Sequence, residues 1–225
     1  MEAEPLFQIY ECQNAACRLR FPSNLSIRQF EQCPVCGAPV IKSGDPFSNA
    51  KVNLPQAAKP GPVLHLLLDN LRSTFNVGSI FRSANCTAIE HIYCCGTTPT
   101  PQHPKFIKAG LNSEQTASWS YHPNALEVVK EAKTKRFKIA ALELTAKATP
   151  LFSTGIDYAP DNQLLLVVGN EVSGVDPAIL DAADTVVYIP MLGTKNSLNV
   201  AIAAAIALYT FRFSLRPQPS QEVTS

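Results

Sequence analysis

The groups best suited to chemistry lie in two turns near the C-terminus. The first, Gly169-Asn170-Glu171-Val172-Ser173-Gly174, follows the apolar run 164–168. The second, Pro190-Met191-Leu192-Gly193-Thr194-Lys195-Asn196-Ser197-Leu198-Asn199, follows the run 185–189. Polar residues gather only where these runs end, which is how an α/β sheet builds a ligand crevice beyond the carboxyl ends of its strands. Glu143-Leu144-Thr145-Ala146, after a third apolar run, completes the set of exit turns. Backbone groups in these turns suit an adenine edge and a ribose, and Leu144, Ile189, Met191 and Leu198 suit the faces of a base. The ionisable candidates for the crevice are Glu171 and Arg82. A guanidinium stays protonated near neutral pH, so Arg82 is better suited to hold an anion than to take a proton. No Gly-x-Gly-x-x-Gly follows the first strand of this region, and no Gly-x-x-x-x-Gly-Lys-Ser/Thr occurs, so a dinucleotide or phosphate-loop site lacks its usual apparatus.

A second constellation lies at the N-terminus. Cys12-x4-Cys17 and Cys33-Pro34-Val35-Cys36-Gly37 present four thiols in two close pairs separated by fifteen residues. Two cysteine knuckles match a tetrahedral zinc site, although the first gap is wider than the usual two residues. A module this small holds little core, so a bound metal would supply its folding free energy. Arg18, Arg20 and Arg28 with Phe21 and Phe30 suit either nucleic-acid contact or a solvated face over a minimal core. Cys86, Cys94 and Cys95 lack ligand spacing and read as buried thiols.

The elements that position these groups follow from patterning. The module occupies 1–41, and the Pro- and Gly-rich stretch 42–61 reads as a linker. An α/β domain spans 62–214, and the polar, Pro-containing tail 215–225 reads as disordered. Strands are expected at Val63–Asp69, Ile89–Cys95, Ile139–Leu144, 164–168 and 185–189. Asn76 suits a helix N-cap, and Val77, Ile80, Phe81, Ala84 and Ala88 form an apolar stripe from which Arg82 is clear. Residues 96–123 read as a long polar loop carrying His103, Trp119 and Tyr121. A basic helix follows at Leu126–Lys138, then a short one at Pro177–Ala183. The last helix starts near Ser197 and is apolar almost all round, so it is buried or packs on a second subunit. Alternating strands and helices imply a mostly parallel sheet covered on both faces. The net charge of +1 gives no global basic signature. The acidic start and the shortness of the longest apolar run argue against a signal peptide and a membrane span, and the free thiols fit a cytoplasmic protein.

Three motifs in this order resemble those of the SpoU (TrmH-type) branch of the SPOUT RNA ribose methyltransferases. They are Asn76-x-Gly78-x3-Arg82-x-Ala84, Gly169-Asn170-Glu171-x2-Gly174, and Ile189-Pro190-Met191-x-Gly193-x3-Ser197-Leu198-Asn199-Val200-Ala201, and the resemblance covers about 62–213. It implies an α/β fold with a C-terminal trefoil knot, against the general avoidance of knots. It implies S-adenosylmethionine held by Leu144, Gly169, Ile189, Met191, Ser197 and Leu198, and a catalytic group of Asn76, Arg82, Glu171, Ser197 and Asn199. The implied product is a 2′-O-methylated ribose in tRNA or rRNA, made by a homodimer joined through the last helix. The N-terminal zinc module, with Cys12, Cys17, Cys33 and Cys36 as ligands, is outside the common core of that family. Two other readings stand beside this one: a zinc-ribbon RNA-binding protein whose knotted domain does not catalyse, and a methyltransferase acting on something other than RNA.

Overall fold

The computed structural model describes residues 5–48, 62–104, 106, 117–153 and 163–213. The chain divides into two compact units, Met1–Ala57 and Ala58–Ser225. Residues 49–61 of the expected linker 42–61, and the tail from 215, lie outside the described residues.

The first unit is a three-stranded antiparallel sheet in the order β2-β1-β3, with β1 at Leu6–Cys12, β2 at Arg20–Asn24 and β3 at Val40–Ser48. Its core is an aromatic trio. Tyr10 stacks on Phe21 at 5.7 Å, and Phe30 meets Phe21 edge-on at 5.0 Å. Phe21 and Phe30 therefore serve the minimal core, while Arg28 covers the Phe30 ring at 4.4 Å. Residues 42–48, read from composition as the start of the linker, instead continue β3 alongside β1. The register shifts between Phe7 and Ile9, Gly44 takes φ +73°, and Gln8 Nε2 donates to the carbonyls of Ser43 and Gly44. Gly44 and Pro46, which look like linker residues, thus sit at a bulge and on an edge strand, where both are tolerated.

The second unit holds a seven-stranded sheet, parallel at every pairing, in the order β6-β5-β4-β9-β7-β10-β8. The strands are β4 Val63–Asp69, β5 His91–Cys95, β6 Trp119–His122, β7 Lys138–Leu142, β8 Thr149–Pro150, β9 Gln163–Val168 and β10 Thr185–Tyr188. The apolar runs of β4 and β9 are buried along almost their whole length because helices cover both faces. On one face α1 (Thr74–Cys86) and α4 (Val200–Phe213) pack through Val77, Ile80, Phe81, Ala204, Leu208 and Phe211. On the other, α2 (Ala125–Thr134) and α3 (Pro177–Ala182) pack through Val128, Val129, Ala132 and Ile179.

Several boundaries differ from those expected. The N-cap of α1 is Ser73, whose hydroxyl accepts from the Asn76 amide, so Asn76 lies inside the first turn. The stripe stops at Ala84, since α1 ends at Cys86 and Ala88 takes φ +51°. The segment 96–123 is not all loop: β6 extends the sheet beside β5, and its four residues are too polar for a buried-strand pattern because it is the edge. The last helix begins at Val200 rather than near Ser197, since Asn199 Oδ1 accepts from the amides of Ala201 and Ile202 and caps it. Near its other end Arg212 is buried and donates to the carbonyls of Pro62, Thr87 and Ala88. The outer side of α4 is still apolar: Ile202, Tyr209 and Phe213 are 53 %, 47 % and 50 % exposed.

Candidate active site

The carboxyl ends of β7, β9 and β10 open on one cavity of about 510 Å³, within the range of small-molecule sites. Leu144, Gly169, Ile189, Met191, Ser197 and Leu198 all line it, as do Asn76, Glu171 and Asn199. The second exit turn follows β10 and runs to the cap of α4 without regular structure. It brings Met191 and Leu198 to the cavity beside Ile189 and Leu144. Arg82 does not line the cavity; it is exposed on α1, about 9 Å further along the helix axis than Asn76.

Three polar side chains lock the mouth of the cavity. Glu171 Oε2 accepts from the Arg72 amide at 2.8 Å, and Oε1 accepts from the Ser73 amide at 3.1 Å and from Asn76 Nδ2 at 2.9 Å. Asn76 Oδ1 in turn accepts from Asn199 Nδ2 at 3.0 Å. One acid and two amides thus connect the β9 turn with the first turns of α1 and α4. A negative side chain at the start of α1 is also favoured by the helix dipole. Partial burial of Glu171 opposes its charge, but the hydrogen bonds from Asn76 and from the Arg72 and Ser73 amides outweigh it and hold the carboxyl below its ordinary range. Glu171 is therefore an anion at neutral pH, and its charge is spent on orientation.

The turn after β9 is closed on itself. Asn170 and Gly174 exchange both backbone hydrogen bonds at 3.0 Å, and Asn170 Oδ1 accepts from the Val172 and Ser173 amides. Asn170 Nδ2 reaches the Asn70 carbonyl across the end of β4. A Cβ on Gly169 would run into the backbone of Gly174 and Val175. At Gly174, φ is +73° and a Cβ would run into the Glu143 carboxylate. Both glycines of this motif are required by close approach, and Gly174 by its backbone conformation as well.

Sequence reasoning put Glu143 and Asn170 in the exit turns but gave their side chains no task, and it did not single out Asp69; all three tie these turns together. Asp69, buried at the end of β4, accepts from Asn70 Nδ2 at 2.8 Å, and burial raises its carboxyl above the ordinary range. The partners in Glu143–Val175, Asn170–Asn70 and Asp69–Asp176 are 32 to 107 residues apart in the chain, so no local pattern could have pointed to these pairings.

In the first unit the four cysteine sulfurs lie within 4.8 Å of one another, with Cys12–Cys36 at 3.5 Å and Cys17–Cys33 at 3.8 Å. Four thiolates about 2.3 Å from a tetrahedral zinc stand about 3.8 Å apart, so the donor set fits that ion. The wide Cys12–Cys17 gap is explained by Asn14, whose backbone and side-chain oxygens accept from the Cys17 and Ala16 amides and fold the turn.

Residues 63–209 match the model of the SpoU rRNA Methylase family. The chain is 31 % identical over 148 residues to the tRNA (guanosine(18)-2′-O)-methyltransferase of Thermus thermophilus, covering 66 % of this chain and 73 % of that protein. It is 30 % identical over 152 residues to the enzyme of the same name from Aquifex aeolicus, covering 65 % and 67 %. The AdoMet-bound rRNA methyltransferase from Sinorhizobium meliloti shares the fold at a TM-score of 0.63, with 24 % identity over 80 % of this chain and 66 % of that one. By the extent of the family match and the identity to these relatives, the chain belongs to the SpoU rRNA Methylase family.

Proposed function

We propose that this protein transfers a methyl group from S-adenosylmethionine to a ribose 2′-hydroxyl of tRNA or rRNA. The observation that carries the reading is the single cavity lined by all six residues of the inferred donor set together with Asn76, Glu171, Ser197 and Asn199. The cavity fits the donor in kind: apolar side chains for a base, and turn backbone for polar edges. S-adenosylmethionine supplies a methyl group already activated by its sulfonium, so the protein's task is placement of the hydroxyl and removal of its proton. Leu144, Ile189, Met191 and Leu198 exclude water from the donor. Glu171 and Asn199 hold Asn76, and through it the start of α1, at a fixed distance from the donor pocket. Arg82, exposed on the same helix, is assigned to the phosphate beside the reacting ribose, a role that suits a permanently charged guanidinium.

The test is incubation with labelled donor and separate tRNA and rRNA pools, followed by alkaline hydrolysis. A 2′-O-methyl group blocks cleavage at its own nucleotide, so label recovered in alkali-resistant dinucleotides supports the reading. Label on bases alone, or none on either RNA, overturns it.

Three further features belong to the same reading. The first is a C-terminal trefoil knot. Val187 faces Leu142 on one side and Thr149 on the other, so the 143–148 connection crosses from one side of β10 to the other near the end of that strand. The second is structural zinc on Cys12, Cys17, Cys33 and Cys36, supported by the sulfur spacing. The third is a homodimer through α4, supported by its exposed apolar side. The domain limits follow: a zinc module at the N-terminus, extended here to Ser48, and a methyltransferase domain at 62–214. Among the described residues no helix is long and apolar enough to cross a membrane.

A further inference from the structure

We infer that Glu143 is a positioning residue for the methyl donor, an inference that rests on the function proposed above. Glu143 lines the cavity, and its carboxylate joins two exit turns. Oε1 accepts from the Leu144 amide at 2.9 Å, and Oε2 accepts from the Val175 amide at 3.0 Å. The Glu143 amide donates to the Val187 carbonyl at 2.9 Å, so its backbone is anchored to β10 as well. One residue at the end of β7 therefore fixes the Leu144 turn and the closing end of the 169–174 turn, and is pinned beside the strand that leads to Ile189. Gly174 leaves room for this: any side chain there would displace the carboxylate.

The consequence is specific to the donor side. Leu144 is 54 % exposed and lines the pocket, and its amide is gripped by the Glu143 carboxylate. Asn76 and Asn199 are held by Glu171 instead, on the acceptor side. Losing Glu143 loosens the walls of the donor pocket, while the hydrogen bonds that join Asn76, Glu171 and Asn199 do not include it.

Glu143→Gln keeps the shape but can satisfy only one of the two amides, and Glu143→Ala satisfies neither. Calorimetric titration with S-adenosylmethionine is expected to show affinity weakened about tenfold in Glu143→Gln and further in Glu143→Ala, in line with the loss of charge-assisted hydrogen bonds. RNA affinity and kcat at saturating donor are expected to stay within about threefold of wild type. Should Glu143→Ala fail to fold, the isosteric Glu143→Gln carries the test. A folded Glu143→Gln with unchanged donor affinity, its only defect a lower Tm, overturns the inference in favour of a merely structural role. A collapse of kcat with donor affinity intact overturns it in favour of a direct part in the chemistry. If wild-type protein binds no S-adenosylmethionine, the functional reading itself fails, and that outcome is seen before any variant is compared.

Discussion

Arg82 and Glu171 were the two ionisable groups that the sequence pointed to, and the structure separates their circumstances. Glu171 is committed: hydrogen bonds from the Arg72 and Ser73 amides just before α1 and from Asn76 in its first turn occupy its carboxylate and leave it little freedom to act as a base. Arg82 is exposed and does not line the donor cavity. A residue placed that way can touch a large polyanionic acceptor without touching the donor. Arg82→Ala is therefore expected to cut methyl transfer by at least about a hundredfold, as for loss of a charged transition-state partner, while S-adenosylmethionine binds with unchanged affinity. A turnover equal to wild type would remove Arg82 from the mechanism, and lost donor binding would place it in the pocket after all. Asn76 shows what residue type can and cannot reveal. Its motif and turn position were legible, but a capping role was the natural reading of an asparagine before an apolar stripe. Its actual partners are Glu171 and Asn199, 95 and 123 residues away, and only the fold brings those together.

At the scale of elements, strands buried on both faces were read closely, because a continuous apolar run bounded by turns has few alternatives. Val63–Asp69 is the clearest case. Edge elements were not. β6 carries serine and histidine on one face: His91 bonds Ser118 and Ser120 at 2.7 Å, and Ser120 also bonds His122 at 2.8 Å. Such a ladder looks polar in sequence and resembles a loop. It also has a consequence for pH. Burial holds both His65 and His91 below the ordinary histidine value; His91 adds to the effect on His65, and His122 to that on His91, while Glu90 opposes it at His65. The folded state then binds fewer protons than the unfolded state, so stability is full above the unfolded value of about 6.5 and falls as pH drops below it. Thermal unfolding should show Tm declining between pH 7 and pH 5, and declining less in His65→Leu. Identical slopes would rule out His65 as a source of the decline. The N-terminal unit, with the zinc proposed for its four cysteines, makes the other prediction at this scale. With little core beyond Tyr10, Phe21 and Phe30, it should lose its near-ultraviolet aromatic signal when a strong chelator removes the metal, and recover it with added zinc. A signal indifferent to chelation, or no zinc in the purified protein by elemental analysis, would exclude a structural metal.

At the scale of the whole chain, what the sequence could not convey was how distant turns share one cavity. Sequence motifs supplied the members, and the parallel order β9-β7-β10 places their exits side by side. On the sheet face that α4 shares with α1, one side of α4 is packed and the other is exposed. Ile202, Tyr209 and Phe213 recur at spacings of seven and four residues, so they form one stripe along the helix, with half-buried Ile206 between them. Large apolar side chains about half exposed in a row favour association, and a second copy of the same helix offers the same stripe in return. The stripe begins three residues after Asn199, so an interface built on it would also press on the start of α4, where Asn199 holds Asn76. Tyr209→Glu places a charge in the middle of that interface without touching the packed side of the helix. Sedimentation equilibrium is expected to give twice the 24.4 kDa chain mass for wild type and the single mass for the variant. Methyl transfer should fall with the monomer fraction rather than with unfolding. A wild-type protein that sediments as a monomer at working concentration, or a Tyr209→Glu variant that stays dimeric, would show that this face of α4 is not where two copies meet.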